Sequence, residues 1–357
     1  MIDSTGALAA IILLISLAMA HAYSPTLDAY QQGLPMDRIV GGVVVPEDEK
    51  NKLQWIVSLR DDSGFHFCGG TLIREDVILT AAHCVKKKED LSWYDTTLPL
   101  VSIGPSDLET AGGNELVKPV LSVVHGAYDE FTIQADIALL FLDRAVGKER
   151  GISPISLGTQ DTLDQLASRG QTATVSVYGW GLLSESEFLP SNELRKTAVT
   201  YYDAESCRSL SEYPPNDIRD DMICAGDIEE GGTDACGGDS GGGLFYEDTS
   251  VTSQQSVQVG IVSWGDGCAK PGYPGVYTSV PAFMPWIEWQ INIVDTLKKD
   301  LSCFPESSFA VDPTEPCAIE STPLSTEEFP MSIYYVPETC DFVRETCAEL
   351  SRQMYPF

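Results

Sequence analysis

Short runs rich in β-branched and aromatic residues recur along most of this chain, and turns containing glycine or proline separate them. The clearest runs are Leu53 to Leu59, Val77 to Thr80, Asp136 to Leu142, Thr172 to Tyr178, Val257 to Trp264 and Gly275 to Val280. Because such residues fit a pleated, half-buried surface, the pattern predicts an all-β protein. Two helices are also predicted, one over Asp203 to Tyr213, where Asp203 can cap, and one over Pro281 to Lys299.

The chain is strongly acidic. Its 357 residues include 53 Asp and Glu against 22 Lys and Arg, a formal net charge of −31. Nucleic-acid binders neutralise phosphates with clustered basic side chains, so this balance argues against a nucleic-acid partner. The hydrophobic share of 43% is that of an ordinary folded protein, which excludes wholesale disorder.

An uncharged apolar run from Ala7 to Ala20 has the length of a signal peptide and is short for a membrane span. Small-x-small triplets follow it, so residues 1–22 are predicted to be a secretory signal peptide. No Lys or Arg precedes the run, which leaves an uncleaved anchor or a buried helix as alternatives. Secretion agrees with the ten cysteines, because an oxidising compartment favours disulfides. We therefore expect a secreted, extracellular protein that is soluble and free of the membrane after signal removal.

Three short segments carry residues suited to nucleophilic catalysis. They are Thr80-Ala81-Ala82-His83-Cys84, Asp136-Ile137-Ala138-Leu139-Leu140 and Gly237-Gly238-Asp239-Ser240-Gly241-Gly242-Gly243. Taken singly, His83, Asp136 and Ser240 also suit structural or turn positions. Together, in the order His, Asp, Ser, they resemble the trypsin and chymotrypsin family of serine proteases.

This resemblance covers about residues 38 to 298 and implies a trypsin-like serine protease domain over residues 39–299. The fold it implies is all-β, with two perpendicular six-stranded antiparallel β-barrels in double Greek-key order and a C-terminal helix. After residue 300 the composition shifts to Pro, Glu, Ser and Thr, so residues 300–357 are predicted to be an acidic, disulfide-containing C-terminal extension.

The resemblance also implies a mechanism. His83 would take the proton of Ser240 as general base and return it to the leaving amine, while Asp136 orients the imidazole. The backbone N–H groups of Gly238 and Ser240 would form the oxyanion hole. No metal or other cofactor is expected. A calcium loop is not expected either, since Pro105 stands where the family has a first glutamate ligand.

The segment Arg38-Ile39-Val40-Gly41-Gly42 resembles the activation site of family zymogens. Cleavage after Arg38 would release residues 23–38 as an activation propeptide and free the amine of Ile39, which would then pair with Asp239. His66 matches the family position that holds this aspartate in the inactive precursor.

The resemblance assigns a substrate-binding set consisting of Asp234, Ala235, Ser263, Trp264, Gly265 and Gly275. Asp234 matches the base of the primary specificity pocket, where a carboxylate attracts the side chain of Arg or Lys. Ala235 replaces a serine that helps to hold lysine, which implies a preference for Arg. Small walls at Gly265 and Gly275 leave the pocket open, and Ser263 is expected to support Asp136.

Three disulfides are implied by the resemblance: Cys68 with Cys84, Cys207 with Cys224, and Cys236 with Cys268. Four cysteines remain in the extension, Cys303, Cys317, Cys340 and Cys347, and their pairing stays open. The extension is compatible with a stapled tail packed on the protease domain and with a small binding module.

Besides an adhesive or regulatory protein, in which the C-terminal extension is the working part and the protease domain only positions it, two readings of function follow. The first is a secreted serine endopeptidase, made as a zymogen and acting after Arg and, less well, Lys, with protein or peptide substrates and protein protease inhibitors as partners. We expect a monomer. The second is a non-catalytic protease homologue that acts as a binding or inhibitor protein, although such homologues typically lose one of the three catalytic residues and this chain keeps all three.

Overall fold

The computed structural model describes residues 40–85, 98–104, 107–109, 116–184, 186–248, 255–302 and 331–334 of the protein. The predicted signal peptide and propeptide, with Arg38 and Ile39, lie outside the described residues. So do Pro105 of the predicted calcium loop and the four cysteines of the extension.

The strands within these residues are short, as the sequence pattern predicts. In chain order they are β1 (Val43–Val44), β2 (Ile56–Arg60), β3 (His66–Arg74), β4 (Val77–Thr80), β5 (Leu100–Ile103), β6 (Leu121–His125), β7 (Ala138–Phe141), β8 (Ser156–Leu157), β9 (Thr174–Gly179), β10 (Arg195–Tyr202), β11 (Met222–Gly226), β12 (Gly243–Asp248), β13 (Gln255–Trp264), β14 (Gly275–Ser279) and β15 (Met331–Tyr334).

The second half of the chain forms a closed barrel. Its strands follow the order β10-β11-β14-β13-β12-β9, and antiparallel pairing of β9 with β10 closes the ring. The first half forms a sheet in the order β6-β7-β4-β3-β2-β5. Val101 and Val117 exchange two backbone hydrogen bonds of 2.8 and 2.9 Å, which bring the edge of β5 against the segment before β6. Strand β15, from the C-terminal extension, pairs antiparallel with the other edge of β6.

The helices are α1 (Glu47–Lys50), α2 (Val146–Arg150), α3 (Gln160–Arg169), α4 (Ala204–Leu210) and α5 (Met284–Ser302), with 3₁₀ turns at Ala82–Cys84, Gly170–Thr172 and Pro281–Phe283. Both predicted helices are present. The Asp203 carboxylate caps α4 by accepting a hydrogen bond from Ser206 N, as the sequence predicts. Helix α3 was not predicted; its inward side carries Leu163 and Leu166, both buried.

The apolar strand positions form the core. Residues of β4 and β7 pack with Trp286 and Ile287 of α5, and Ile261 of the barrel joins the same cluster. Helix α5 therefore covers the region where the sheet and the barrel meet. The prediction of an all-β, chymotrypsin-like fold with a C-terminal helix is confirmed. Among the helices the structure describes, none is long and apolar enough to cross a membrane.

Candidate active site

A buried aspartate and a histidine lie side by side at the ends of neighbouring strands. His83 follows β4 in a 3₁₀ turn, and Asp136 lies just before β7, the strand that pairs with β4. The His83 Nδ1–H donates to Asp136 Oδ2 over 2.8 Å, and the His83 backbone N–H donates to Asp136 Oδ1 over 2.9 Å. This pair of bonds orients the imidazole and leaves its Nε2 as a proton acceptor.

The closed barrel supplies two further hydrogen bonds to the same aspartate. Ser263 Oγ donates to Asp136 Oδ2 over 2.5 Å, and Thr278 Oγ1 donates to the Asp136 carbonyl over 2.9 Å. Ser263 lies where the register between β13 and β14 shifts, and such a bulge re-aims a side chain. Four hydrogen bonds thus compensate the burial of Asp136, which has no exposed surface.

The loop before β12 carries Ser240 to the histidine. Two tight turns shape this loop, because Asp239 N donates to Cys236 O and Gly242 N donates to Asp239 O, each over 2.9 Å. The Ser240 carbonyl accepts from Gly69 N of β3 over 2.7 Å, which fixes the loop against the first sheet.

Glycine is required directly after the serine. Gly241 has φ +77°, and a Cβ there would collide with Thr80 Oγ1 and Gly69 O. The same Cβ position is 3.1 Å from Cys84 Sγ, so the residue after Ser240 lies against the neighbour of His83. The loop that carries Ser240 therefore passes beside the residue that follows His83. Within the described residues, no hydrogen bond joins Ser240 Oγ to His83 Nε2, a bond that is often long or misaligned before substrate binds.

A second buried carboxylate lies next to Ser240. Asp239 accepts from Gly181 N over 2.7 Å and from Cys236 N over 2.9 Å. Burial raises the pKa of Asp239 to about 6, although both hydrogen bonds act in the opposite direction. The adjacent Gly238 has φ +96°, and its carbonyl accepts from His66 Nε2 over 2.9 Å.

A third buried carboxylate, Asp234, lies at the start of this loop. Its side chain accepts from Ala235 N over 2.8 Å and from Ala269 N over 3.2 Å. Burial raises the pKa of Asp234 to about 7, and the nearby charge of Asp239 adds to the shift. A Cβ on Gly275 would lie 2.6 Å from Asp234 Oδ1, so only glycine leaves room beside the carboxylate.

Of the other predicted pocket residues, Ala235 contacts this carboxylate, and Trp264 and Gly265 lie against Tyr213. Ala235 is buried, and Trp264 packs edge-on against Tyr213 with ring centroids 5.1 Å apart. Next in the chain, Gly265 is close to Gly267 O, where a Cβ would lie at 3.3 Å. The Asp234 N–H donates to Val40 O over 3.2 Å, so the segment that follows Ile39 runs beside this pocket.

Three disulfides hold these loops, in the pairing that the resemblance implies. Cys68–Cys84 lies beside His83, Cys236–Cys268 joins the serine loop to the segment after β13, and Cys207–Cys224 ties α4 to β11. Cys68, Cys84 and His83 are close enough together to suit a metal ion, but both sulfurs are used in the disulfide and are not free ligands.

Sequence reasoning missed several residues that support the site. Thr278, Gly181 and Ser58 carry no local signature; Thr278 and Gly181 reach their partners across the fold, and Ser58 reaches its partner on the neighbouring strand. Ser58 Oγ, for example, lies 2.9 Å from Nδ1 of His66, which in turn contacts Gly238. Only the alternation of β2, which turns Ser58 to the same face as Arg60, the residue that pairs with His66 on β3, could have indicated this contact.

Comparison with known proteins agrees with this geometry. Residues 39–287 match the sequence model of the family described as Trypsin. The chain is 39% identical to Trypsin-1 of Astacus astacus over 228 residues, which are 63% of this chain and 87% of that protein. It is 36% identical to Trypsin 5G1 of Aedes aegypti over 251 residues, 70% of this chain and 84% of that protein. It is 35% identical to Trypsin II-P29 of Gallus gallus over 261 residues, 73% of this chain and 92% of that protein. With this agreement of fold, site and sequence, the chain belongs to the trypsin family and is a serine endopeptidase.

Proposed function

We propose that this protein is secreted as a zymogen and that, once cut after Arg38, it hydrolyses peptide bonds following Arg and, less well, Lys. The observation that carries the proposal is the buried Asp234 at the start of the loop that presents Ser240, with Gly275 leaving space at its side. The mature enzyme needs no cofactor.

Catalysis begins with proton transfer. Since Asp136 holds Nδ1–H of His83, the free Nε2 accepts the proton of Ser240 as the hydroxyl attacks the scissile carbonyl. The imidazolium that forms faces the carboxylate of Asp136 and is stabilised by it. His83 then gives the proton to the leaving amine, which leaves an acyl-enzyme on Ser240 that water hydrolyses by the same steps in reverse. In this proposal, the hydrogen bond between Ser240 Oγ and His83 Nε2 forms when substrate is bound.

The oxyanion is stabilised by backbone N–H groups. In the tetrahedral intermediate the substrate oxygen becomes negative and takes hydrogen bonds from the N–H groups of Gly238 and Ser240. The positive φ of Gly238 supports this role, because it turns that peptide in a direction that other residues rarely adopt. Losing one such donor in comparable enzymes costs about 3 to 4 kcal/mol of barrier.

Specificity follows from charge. A cationic side chain entering the pocket removes the desolvation cost that keeps the pKa of Asp234 high, so binding of Arg or Lys favours the ionised carboxylate. Ala235 offers no hydroxyl to a lysine ammonium, whereas a guanidinium can bind the carboxylate in two places. Arg is therefore the preferred residue before the scissile bond.

Activation rests on Asp239. Among the described residues, two backbone donors hold this fully buried carboxylate, which would gain from a cation, and a new amine at Ile39 would provide one. The hydrogen bond from Asp234 to Val40 O supports this, since it keeps the start of the mature chain close to the serine loop. Secretion is supported by the apolar segment 7–20 and by the three disulfides.

The proposal is tested with two matched peptide amides that differ only in Arg or Lys before the scissile bond. Protein cut after Arg38 should hydrolyse both, with the larger kcat/KM for Arg, and the uncut protein should be much slower. The Ser240→Ala variant should be inactive. A correctly cut and folded sample that turns over neither these nor apolar amides would favour the non-catalytic homologue.

A further inference from the structure

A buried chain of hydrogen bonds links β2 to the loop that carries Gly238. Arg60 Nε–H donates to Ser58 Oγ over 3.2 Å, and Ser58 Oγ lies 2.9 Å from His66 Nδ1. His66 Nε2 lies 2.9 Å from the Gly238 carbonyl. Arg60, Ser58 and His66 are all buried, with relative exposures of 6%, 1% and 3%.

The arginine gives this chain a direction. A guanidinium offers only donors, so the lone pair of Ser58 Oγ receives the Arg60 hydrogen and the Ser58 hydroxyl hydrogen is left to point elsewhere. The nearest acceptor for it is Nδ1 of His66. A neutral imidazole that accepts at Nδ1 carries its hydrogen on Nε2, and that Nε2–H can donate to the Gly238 carbonyl. Every group in the chain is then satisfied.

The surroundings of Arg60 favour the same arrangement. Its remaining side-chain contacts in the described residues are two backbone carbonyls, Gly64 O at 3.3 Å and Leu108 O at 3.1 Å, so the guanidinium is anchored by the β2–β3 turn and by the segment after β5. Burial lowers the pKa of His66 to about 4, and the positive charge of Arg60 adds to this shift. The imidazole is therefore neutral in the range where peptide hydrolysis is measured.

The charged groups near His66 come from two elements. Arg60 is on its own sheet, and Asp239 is in the loop opposite, where its carboxylate is occupied by Gly181 N and Cys236 N. The ring of Trp180 packs edge-on at 5.5 Å and adds no charge. The Gly238 carbonyl is thus the polar group on the Nε2 side, and because a carbonyl only accepts, it receives the hydrogen that the direction set by Arg60 places on Nε2.

We propose that Arg60 is a positioning residue for the oxyanion hole: by donating to Ser58, it holds His66 as the Nε2–H tautomer that fixes the Gly238 carbonyl. The N–H of Gly238 is kept in place because its own carbonyl is held by His66. This inference rests on the proposed role of Gly238 in binding the oxyanion, and it assigns to β2 a part in catalysis that no motif near the triad carries.

The first test is spectroscopic. In ¹⁵N NMR of the Ser240→Ala protein, His66 is assigned with His66→Gln, which the four histidines of the chain make feasible. We expect an unprotonated Nδ1 and a protonated Nε2. Arg60→Met should leave a mixture of tautomers, whereas Arg60→Lys, which also only donates, should restore the single tautomer. A protonated Nδ1 in the protein with native Arg60 overturns the proposal without any Arg60 variant having to fold.

The second test is kinetic. Arg60→Met in the cut enzyme should lower kcat about tenfold with KM nearly unchanged, a fraction of the loss seen when an oxyanion donor is removed. Arg60→Lys should recover most of it. The control is Arg74→Met, which removes a half-buried arginine at the end of β3 that pairs with Asp76 and with Asp295 of α5. This variant should leave kcat unchanged.

The two proposals fail differently. If native enzyme is active and Arg60→Met changes neither kcat nor the His66 tautomer, Arg60 has no positioning role, while the proposed function stands. If native enzyme is inactive on every amide, the proposed function fails, and the tautomer measurement still decides whether Arg60 directs the chain.

Discussion

Three buried carboxylates set the chemistry at the scale of single residues. Asp136, Asp234 and Asp239 are 0, 2 and 1% exposed, and each is held by hydrogen-bond donors from distant parts of the chain. Such donors make up for lost hydration without neutralising the charge, so each carboxylate remains able to respond to a cation. In the proposed mechanism, those cations are an imidazolium, a substrate side chain and a new chain terminus.

Ser263→Ala should weaken catalysis through Asp136. Its hydroxyl makes a charge-assisted hydrogen bond of 2.5 Å to the oxygen that also accepts from His83. Losing a bond of this kind costs about 1.5 to 3 kcal/mol. Part of this loss should lower the free energy of unfolding, and part should raise the activation free energy of hydrolysis. We expect kcat/KM to fall about tenfold.

The matched control is Thr278→Val, which removes the hydroxyl bonded to the Asp136 carbonyl and leaves the carboxylate contacts intact. Its kcat/KM, measured on the same Arg amide, should change by less than about threefold. Equal losses in both variants would mean that the effect of Ser263 is structural rather than directed at the carboxylate.

Binding of a small guanidinium ligand should depend on the ionisation of Asp234. Its pKa is raised to about 7, so the carboxyl is mostly ionised at about pH 8 and mostly protonated at about pH 6. Since only the ionised form attracts the ligand, affinity should be lost as pH falls through this range, by about tenfold. Isothermal titration with a guanidinium ligand that lacks titrating groups measures this.

Asp234→Asn is the control for this pH dependence and should bind weakly with no pH response between the same limits. A native protein whose affinity is flat from about pH 6 to about pH 8 would contradict the raised pKa of Asp234 in the ligand-free pocket.

At the scale of elements, the disulfides differ in what they hold. Cys236–Cys268 closes a loop of sequence separation 32 between the serine loop and the end of β13, and Cys207–Cys224 closes one of 17 between α4 and β11. Removing either with paired Cys→Ala changes should reduce the free energy of unfolding by about 2 to 4 kcal/mol. Of these two disulfides, only Cys236–Cys268 is attached to the loop that carries the proposed nucleophile, Ser240.

Activity should therefore separate the two disulfides. At a temperature where both variants are folded by circular dichroism, removing Cys236–Cys268 should lower kcat/KM more than about tenfold, because misplaced groups lose rate steeply. Removing Cys207–Cys224 should leave it within about threefold. Equal activity in the two variants would show that the serine loop keeps its shape without its disulfide.

Elements of this fold differ in how well the sequence predicts them. The apolar run of β4 gives the observed bounds, Val77–Thr80, because a buried strand needs only local β-branched residues. Helix α3 was missed although Thr159 N bonds Thr162 Oγ1 at its start, since its polar composition hides the buried Leu163 and Leu166. Burial of these leucines against the barrel stabilises the helix, and the local sequence does not predict that contact.

The site is predictable only in part for a similar reason. His83, Asp136 and Ser240 lie in short motifs that a resemblance can identify. The contacts that hold the site are long-range: Thr278 bonds to Asp136, and His66 bonds to the Gly238 carbonyl, and no sequence spacing predicts either contact. Packing of the barrel against the sheet creates these contacts, so they exist only in the folded protein.

At the scale of the whole molecule, the C-terminal extension contributes β15 to the edge of β6. Deleting residues 303–357 removes this strand and leaves the backbone groups of that edge without it. We expect kcat/KM on peptide amides to stay within about twofold, because β6 carries none of the proposed catalytic residues. The truncated protein should associate with itself more strongly in analytical ultracentrifugation.

A full-length variant with Ser332→Pro and Ile333→Pro is the control, because proline removes the N–H groups needed for pairing while the rest of the extension stays. It should associate as the truncated protein does. A large loss of kcat/KM in either protein would instead show that the extension contributes to hydrolysis.

Covalent labelling is a direct test of the proposal that Ser240 is a nucleophile activated by His83. Protein cut after Arg38 is treated with an alkyl fluorophosphonate, in which the serine oxygen bonds to phosphorus and fluoride leaves, and the adduct is located by mass spectrometry. We expect one phosphonyl group on Ser240, and almost none in His83→Ala under the same conditions. A folded, cut protein with no adduct, or with equal labelling in His83→Ala, would contradict it.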